Sequence, residues 1–75
     1  MAWYQVTLHS EMSGQKHITF DGIFTRKVEA IKHAKKEMVK RGFDYAVVCK
    51  SDDGFVTYPV ARFENAPTET KEVGR

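Results

Sequence analysis

The hydrophobic pattern of this 75-residue chain changes its period twice. Apolar and polar residues alternate over residues 3–9 and 17–21, as expected for half-buried β-strands, and the alternation returns over residues 44–50 and 55–63. Between these stretches, over residues 26–41, apolar residues recur at the spacing of an amphipathic helix. The pattern predicts an α+β fold of order ββαββ, in which one helix packs on one face of a sheet.

One sheet order satisfies the local rules for connecting these strands. In a four-stranded sheet of order 2-1-3-4, every neighbouring pair is antiparallel and the helix crosses from strand 2 to strand 3 in the preferred right-handed sense. Pairing His9 with His17 in the first hairpin brings Leu8 opposite Ile18 and places the apolar residues of both strands on one face. Pro59 lacks a backbone N–H, which predicts an edge position for the fourth strand.

Residues that favour chain reversal mark the ends of the predicted elements. Thr25 is a suitable N-cap for the helix because its hydroxyl can accept a hydrogen bond from a free N–H of the first turn. Gly42 is suited to end the helix in the left-handed conformation. The pair Asp53-Gly54 predicts a tight hairpin turn between the third and fourth strands.

The alternation also assigns the two faces of the sheet. We expect Tyr45, Val47 and Cys49 to point toward the helix, together with the apolar positions in phase with them on the fourth strand. The intervening positions of the second hairpin then form an apolar outer face, unless the end of the chain folds back over it. Such a patch marks an interaction site, and the residues that we assign to it are Trp3, Val48, Phe55 and Ala61.

The positive charges are concentrated on the helix. Residues 26–41 hold seven basic and two acidic residues, whereas the rest of the chain holds five basic and eight acidic ones. Exposed helices commonly carry lysine and glutamate for solubility, but that explanation predicts balanced signs. The excess favours a surface that docks on phosphates or on an acidic protein, and the residues that we assign to it are Lys32, Lys36, Lys40, Arg26 and Arg41.

The sequence contains no recognisable motif for catalysis or for cofactor binding. Cys49 alternates with apolar residues and is predicted to be an unreactive core side chain. His9 and His17 face each other in the predicted hairpin near Glu11, but their spacing matches no established zinc motif, and exposed histidines require no metal. We therefore expect no catalytic residue, no metal ion and no cofactor.

Length and composition limit the organisation of the chain. We expect one domain over residues 1–63 and a polar, flexible tail over residues 64–75, which lack both periodicity and apolar content. The single cysteine cannot form an intramolecular disulfide, which favours a reducing, cytoplasmic location. We expect neither a signal peptide nor a membrane span, because no basic leader or long apolar run is present.

The ββαββ order and the helix sequence around Glu29-Ala-Ile-Lys-His-Ala-Lys resemble several very small phage-encoded proteins. These are compact α+β anti-CRISPR proteins, which block type I surveillance complexes, and phage inhibitors of host RNA polymerase. The resemblance covers about residues 3–63 and is architectural, so no functional residue is carried over from it. It implies a stoichiometric binder that occludes a working surface on nucleic-acid machinery in the host cytoplasm.

Three functions are consistent with these observations. The leading hypothesis is a non-catalytic inhibitor or adaptor, of phage or mobile-element origin, that binds an acidic or nucleic-acid-handling surface of a host protein complex. The alternative is a nucleic-acid-binding module that uses the lysine-rich helix directly. The third is a housekeeping domain that dimerises through its second hairpin, so the chain is expected to be a monomer or a homodimer.

Overall fold

The strands and the helix form in the predicted order. The structure is a computed structural model, and it describes residues 2–12 and 14–65. All neighbouring strands are antiparallel and the sheet order is β2-β1-β3-β4, so the predicted α+β fold and strand order are confirmed. The elements are β1 (Trp3–Met12), β2 (Gln15–Phe24), α1 (Lys27–Arg41), β3 (Tyr45–Ser51) and β4 (Thr57–Glu64).

The helix ends as predicted but begins one residue later. Gly42 follows the last turn with φ of 74°, a left-handed conformation that glycine adopts without a steric penalty. The N-cap is Arg26, which has an extended backbone and makes no capping side-chain hydrogen bond. The prediction that Thr25 caps the helix is therefore wrong. The first turn is closed by the backbone alone, through a 3.1 Å hydrogen bond from Ala30 N to Arg26 O.

The first hairpin is shifted by one residue from the predicted register. Met12 pairs with Gln15, which leaves a connection of two residues, and His9 therefore faces Ile18 instead of His17. A one-residue shift reverses the face of every side chain on the strand. Ile18 and the apolar residues in phase with it thus point away from the helix, and Thr19 lies opposite Leu8.

A bulge at Gly22 returns the end of β2 to the core. The register of β1 and β2 shifts between Gln5 and Thr7, and Gly22 has φ of 119°. Beyond this bulge Tyr4 pairs with Phe24, and both side chains pack against the core on the helix side. Glycine is required here because other residues rarely adopt this conformation, and an added Cβ would lie 3.3 Å from Phe24 Cε1.

The core lies between the helix and the central strands. Its fully buried side chains on β3 are Ala46 and Val48, which pair with Leu8 and Val6 of β1. The assignment of Tyr45, Val47 and Cys49 to the helix side is therefore wrong, since they occupy the opposite face. On β3 the side chains that face the helix and those that face away from it are both largely apolar, so the sequence pattern of this strand did not show which of them are buried. The buried apolar residues of this core are Val6, Leu8, Ala30, Ala34, Met38, Ala46 and Val48.

The second hairpin closes through a loop of five residues, so the predicted tight turn at Asp53-Gly54 is wrong. Ser51 pairs with Thr57, and the loop between them is held by side chains. Asp53 Oδ1 accepts hydrogen bonds from Phe55 N at 2.8 Å and from Val56 N at 3.1 Å. These two donors are the main cause of the lowered pKa of the Asp53 carboxyl.

The last strand extends one residue beyond the predicted boundary at residue 63, and Asn65 is hydrogen-bonded to the segment after the helix. Glu64 ends β4, and the Asn65 backbone N–H donates to Asp44 O at 2.9 Å. The Asn65 amide also donates to Phe43 O at 2.9 Å, which ties the end of β4 to the segment after the helix. The rest of the predicted tail, residues 66–75, lies outside the described residues.

Candidate functional site

Three of the five predicted basic docking residues form one exposed row on the helix. Lys32, Lys36 and Lys40 follow one another at intervals of four residues, so they lie on one side of α1 and span roughly 12 Å along its axis. We call this row the lysine face. An open groove of about 840 Å³ runs along it, and Val39, Phe24 and His33 contribute to its lining.

The acidic side chains near the lysine face are bound by residues other than its lysines. Asp21 of β2 binds His33 and Arg41 of the helix, with an Oδ2–Nε2 distance of 2.6 Å and an Oδ1–Nη1 distance of 3.0 Å. Glu37 Oε1 lies 3.8 Å from the same Arg41 guanidinium, and Glu29 Oε2 lies 3.9 Å from Arg26 Nη1. Within residues 2–12 and 14–65, the three lysines of the lysine face make no ion pair, and among these residues Glu29 is the one carboxylate that lines their groove, so most of their charge is not compensated locally.

The two predicted arginines differ from the lysines because each arginine has an acidic partner. Arg41 connects Asp21 on β2 to Glu37 on the helix, and its guanidinium also lies 5.3 Å from the Phe43 ring centroid. Such a charge shared by two carboxylates stabilises the packing of α1 on the sheet. Arg26 and its partner Glu29 are both exposed and lie 3.9 Å apart, so this ion pair contributes little to the stability of the fold.

Sequence reasoning missed Asp21 as a member of this site. Asp21 occupies a bulged strand, whereas His33 and Arg41 are on the helix, so only the folded chain brings the three together. The Phe24 ring packs 5.0 Å from the His33 ring and covers one side of the pair. No sequence spacing signals this arrangement, since the partners are 12 and 20 residues apart.

The predicted apolar interface does not exist as one surface. Val48 is fully buried under the helix, and Ala61 pairs with it on the same side of the sheet and packs against the core. Phe55 is 90% exposed, but it belongs to the loop between β3 and β4. Trp3 is half-buried at the start of β1, and its indole Nε1 lies near Gly54 of that loop.

The outer sheet face, on the side away from the helix, instead exposes apolar residues of β2. Ile18 is 65% exposed and Phe20 is 55% exposed, and both are opposite outward-facing residues of β1. Toward β4 the same face carries a stack in which the Tyr45 ring lies between His9, at a centroid distance of 4.5 Å, and the Arg62 guanidinium, at 4.2 Å. Both faces of the Tyr45 ring are thus occupied, so this ring offers no free face on which a base could stack.

His9 makes stability depend on pH. Partial burial, together with the nearby Arg62 charge, lowers the pKa of His9 below its usual value of about 6.5. As the pH falls, His9 of the unfolded chain binds a proton before His9 of the folded chain does. The stability that depends on an uncharged His9 is therefore fully present above about pH 6.5, and it is lost as the pH falls through the lowered pKa of the folded protein. We expect the thermal midpoint to fall less between about pH 7.5 and pH 5 in His9→Gln than in wild type. Equal falls in the two proteins would contradict this role.

The two histidines of the first hairpin do not face each other as predicted. His9 lies opposite Ile18 whereas His17 lies opposite Ser10, so the two imidazoles are on opposite faces of the sheet. Within the described part of the chain, no group of three or more metal-ligating side chains comes together. Cys49 is half-buried on the outer face, and burial raises the pKa of its thiol, which makes the nucleophilic thiolate scarcer.

Comparisons of the chain with family models, with curated proteins and with solved structures find no match. The helix of 15 residues is too short and too polar to cross a bilayer, and no other helix occurs among residues 2–12 and 14–65.

Proposed function

We propose that this protein is a non-catalytic binding protein whose lysine face docks on an acidic surface of a protein partner. The observation that carries the proposal is the separation of charges on the helix. The nearby carboxylates are bound by arginine and histidine, whereas Lys32, Lys36 and Lys40 are exposed and unpaired in the described part of the chain. An uncompensated row of cations favours encounter with an acidic surface and suppresses wrong partners.

A protein partner fits this surface better than nucleic acid does. Val39 lines the groove that runs along the lysine face, and its side chain is 64% exposed, so this surface offers an apolar contact beside its charges. A protein surface can bury such a side chain, whereas a phosphate backbone cannot. The exposed side of the helix also has no asparagine or glutamine with which to contact base edges.

The class of partner that we propose is a protein complex that acts on nucleic acid, located in the cytoplasm. Support for this finer proposal comes from the resemblance to small phage inhibitors, which rests on the ββαββ order and a single helix. A binder of this kind needs no catalytic residue, since it acts by occluding a surface that the complex requires. The lysine face, which projects from the side of the helix opposite the sheet, is accessible for such a contact.

The test compares baits with equal net charge. Lys32→Glu combined with Lys36→Glu should abolish capture of the partner from host lysate, because it places repulsive charges at the proposed contact. The matched control is Lys16→Glu combined with Lys27→Glu, which changes the net charge by the same amount and should retain capture. Capture by the first variant at the wild-type level would reject the lysine face as the interface.

A salt titration distinguishes a protein partner from nucleic acid. If the lysine face binds phosphates directly, affinity for a generic duplex should fall with salt with a log–log slope of roughly −3 for three contacts. On our proposal, the wild-type chain binds no duplex at physiological salt and still captures a defined protein complex from nuclease-treated lysate. Tight, salt-sensitive duplex binding that is lost in the Lys32→Glu, Lys36→Glu variant would replace our proposal with the nucleic-acid alternative.

A further inference from the structure

The two edges of the sheet differ in how well they are protected. On β4, Pro59 removes a backbone donor, a register shift near it interrupts the ladder, and Arg62 pairs with Glu64 at 3.1 Å. Prolines, bulges and charges are the usual devices that prevent edge-to-edge pairing. On β2, the stretch 15–20 pairs regularly with β1, contains no proline and carries one lysine, Lys16. Its only neighbour in the sheet is β1, so one long edge remains open within the described chain.

The open edge presents backbone groups at alternate residues. Because Met12 and Gln15 close a two-residue connection, they form a hydrogen-bonded pair, and residues 17 and 19 likewise direct their backbone groups toward β1. The backbone N–H and C=O groups of Lys16, Ile18 and Phe20 therefore point outward. The hydrogen bonds of β1 agree with this assignment. Glu11 and His9, which lie opposite Lys16 and Ile18, direct their backbone groups away from β2: Glu11 N donates to Asp44 Oδ2, and Asp44 N donates to His9 O.

The same residues carry exposed apolar side chains. Ile18 and Phe20 are both more than half exposed on the outer sheet face. An edge strand that combines free backbone groups with exposed isoleucine and phenylalanine is a template for pairing with another strand. The charges of the lysine face belong to a different element and leave this edge accessible.

We infer that β2 pairs with β2 of a second copy of this chain, antiparallel and centred on Thr19. In this register Ile18 of each copy lies opposite Phe20 of the other copy. The two equivalent pairs are hydrogen-bonded pairs, which use the outward backbone groups. His17 comes opposite Asp21 of the second copy, which places an imidazole beside a carboxylate. The result is one eight-stranded sheet with both helices on the same side and both lysine faces free.

Neighbouring registers are less complementary. Centring the pairing on Ile18 places Lys16 opposite Phe20, and centring it on Phe20 places Ile18 opposite the bulge at Gly22. Of these three registers, only the one centred on Thr19 gives both Ile18 and Phe20 an apolar partner, and it pairs the outward backbone groups with one another. The contact is isologous and therefore closes on itself. The protected β4 edge prevents the assembly from growing further.

Sedimentation and cross-linking test this dimer. The wild-type chain should sediment with twice its monomer mass of 8.6 kDa. Phe20→Lys should sediment as a monomer, because it places a charge opposite Ile18 of the second copy on both sides of the two-fold axis. The matched control is Val39→Lys, which replaces an equally exposed apolar residue on the helix and should remain dimeric. Circular dichroism establishes that both variants are folded.

A cysteine at the centre of the contact tests the register independently. In a Cys49→Ala background, Thr19→Cys should form a covalent dimer under mild oxidation, because non-hydrogen-bonded antiparallel pairs bring the two Cα atoms within disulfide range. Thr57→Cys, on the opposite edge, is the control and should react only at the background rate. A monomeric wild type at the highest soluble concentration, a dimeric Phe20→Lys, or equal cross-linking at residues 19 and 57 would each overturn the inference.

Discussion

Val48→Asp is expected to abolish the folded state. The Val48 side chain is fully buried between the helix and the sheet, where a carboxylate has no cationic partner among the core residues. An ionised carboxylate in such a site costs several kcal/mol. A domain of this size has a total stability at the low end of about 5–15 kcal/mol, so a loss of this kind is sufficient to unfold it. Loss of the cooperative thermal transition at neutral pH checks the prediction.

The adjacent substitution Val47→Asp is the matched control. Val47 differs from Val48 by one position but lies on the outer sheet face, opposite Thr7 and Arg62 of the neighbouring strands. A carboxylate there remains in contact with water and has a cation nearby, so the variant should retain a cooperative transition. If Val47→Asp unfolded and Val48→Asp did not, the two faces of β3 would have to be exchanged.

Leu8→Ala is expected to reduce the free energy of unfolding by about 2–5 kcal/mol, the range found for leucine truncation in well-packed cores. Leu8 is the largest fully buried side chain, and it lies on the central strand β1 directly opposite Ala46. Of the buried helix residues above the sheet, Ala30 and Ala34 are small, so among them only Met38 is large enough to move into the space that Leu8 leaves. Urea denaturation gives the free energy, provided that the slope of the transition is unchanged.

Val39→Ala serves as the control for this truncation. Val39 is an apolar residue of the same helix, but its side chain is mostly exposed in the folded chain. Removing an exposed side chain changes stability by no more than about 0.5 kcal/mol. A loss at Val39 as large as that at Leu8 would mean that α1 is rotated about its axis relative to the sheet.

The candidate site could be predicted from the sequence where local spacing was sufficient. Lys32, Lys36 and Lys40 are four residues apart, and the geometry of an α-helix alone places them on one side. The pairing of Arg41 with Asp21 could not be predicted in this way, because it depends on how the helix packs on a bulged strand. The division between paired arginines and unpaired lysines is therefore a property of the fold.

Hydrophobic periodicity predicted the element order, the rules for connecting strands predicted the sheet order, and Pro59 predicted the edge position of its strand. These features follow from local preferences and from the rules for connecting strands. Tertiary structure decided which face of each strand is buried. Since side chains alternate with a period of two, the two-residue connection after Met12 turned Ile18 outward, and the register with β1 turned Val48 inward. Register depends on contacts between strands distant in sequence, so the pattern within a single strand does not contain it.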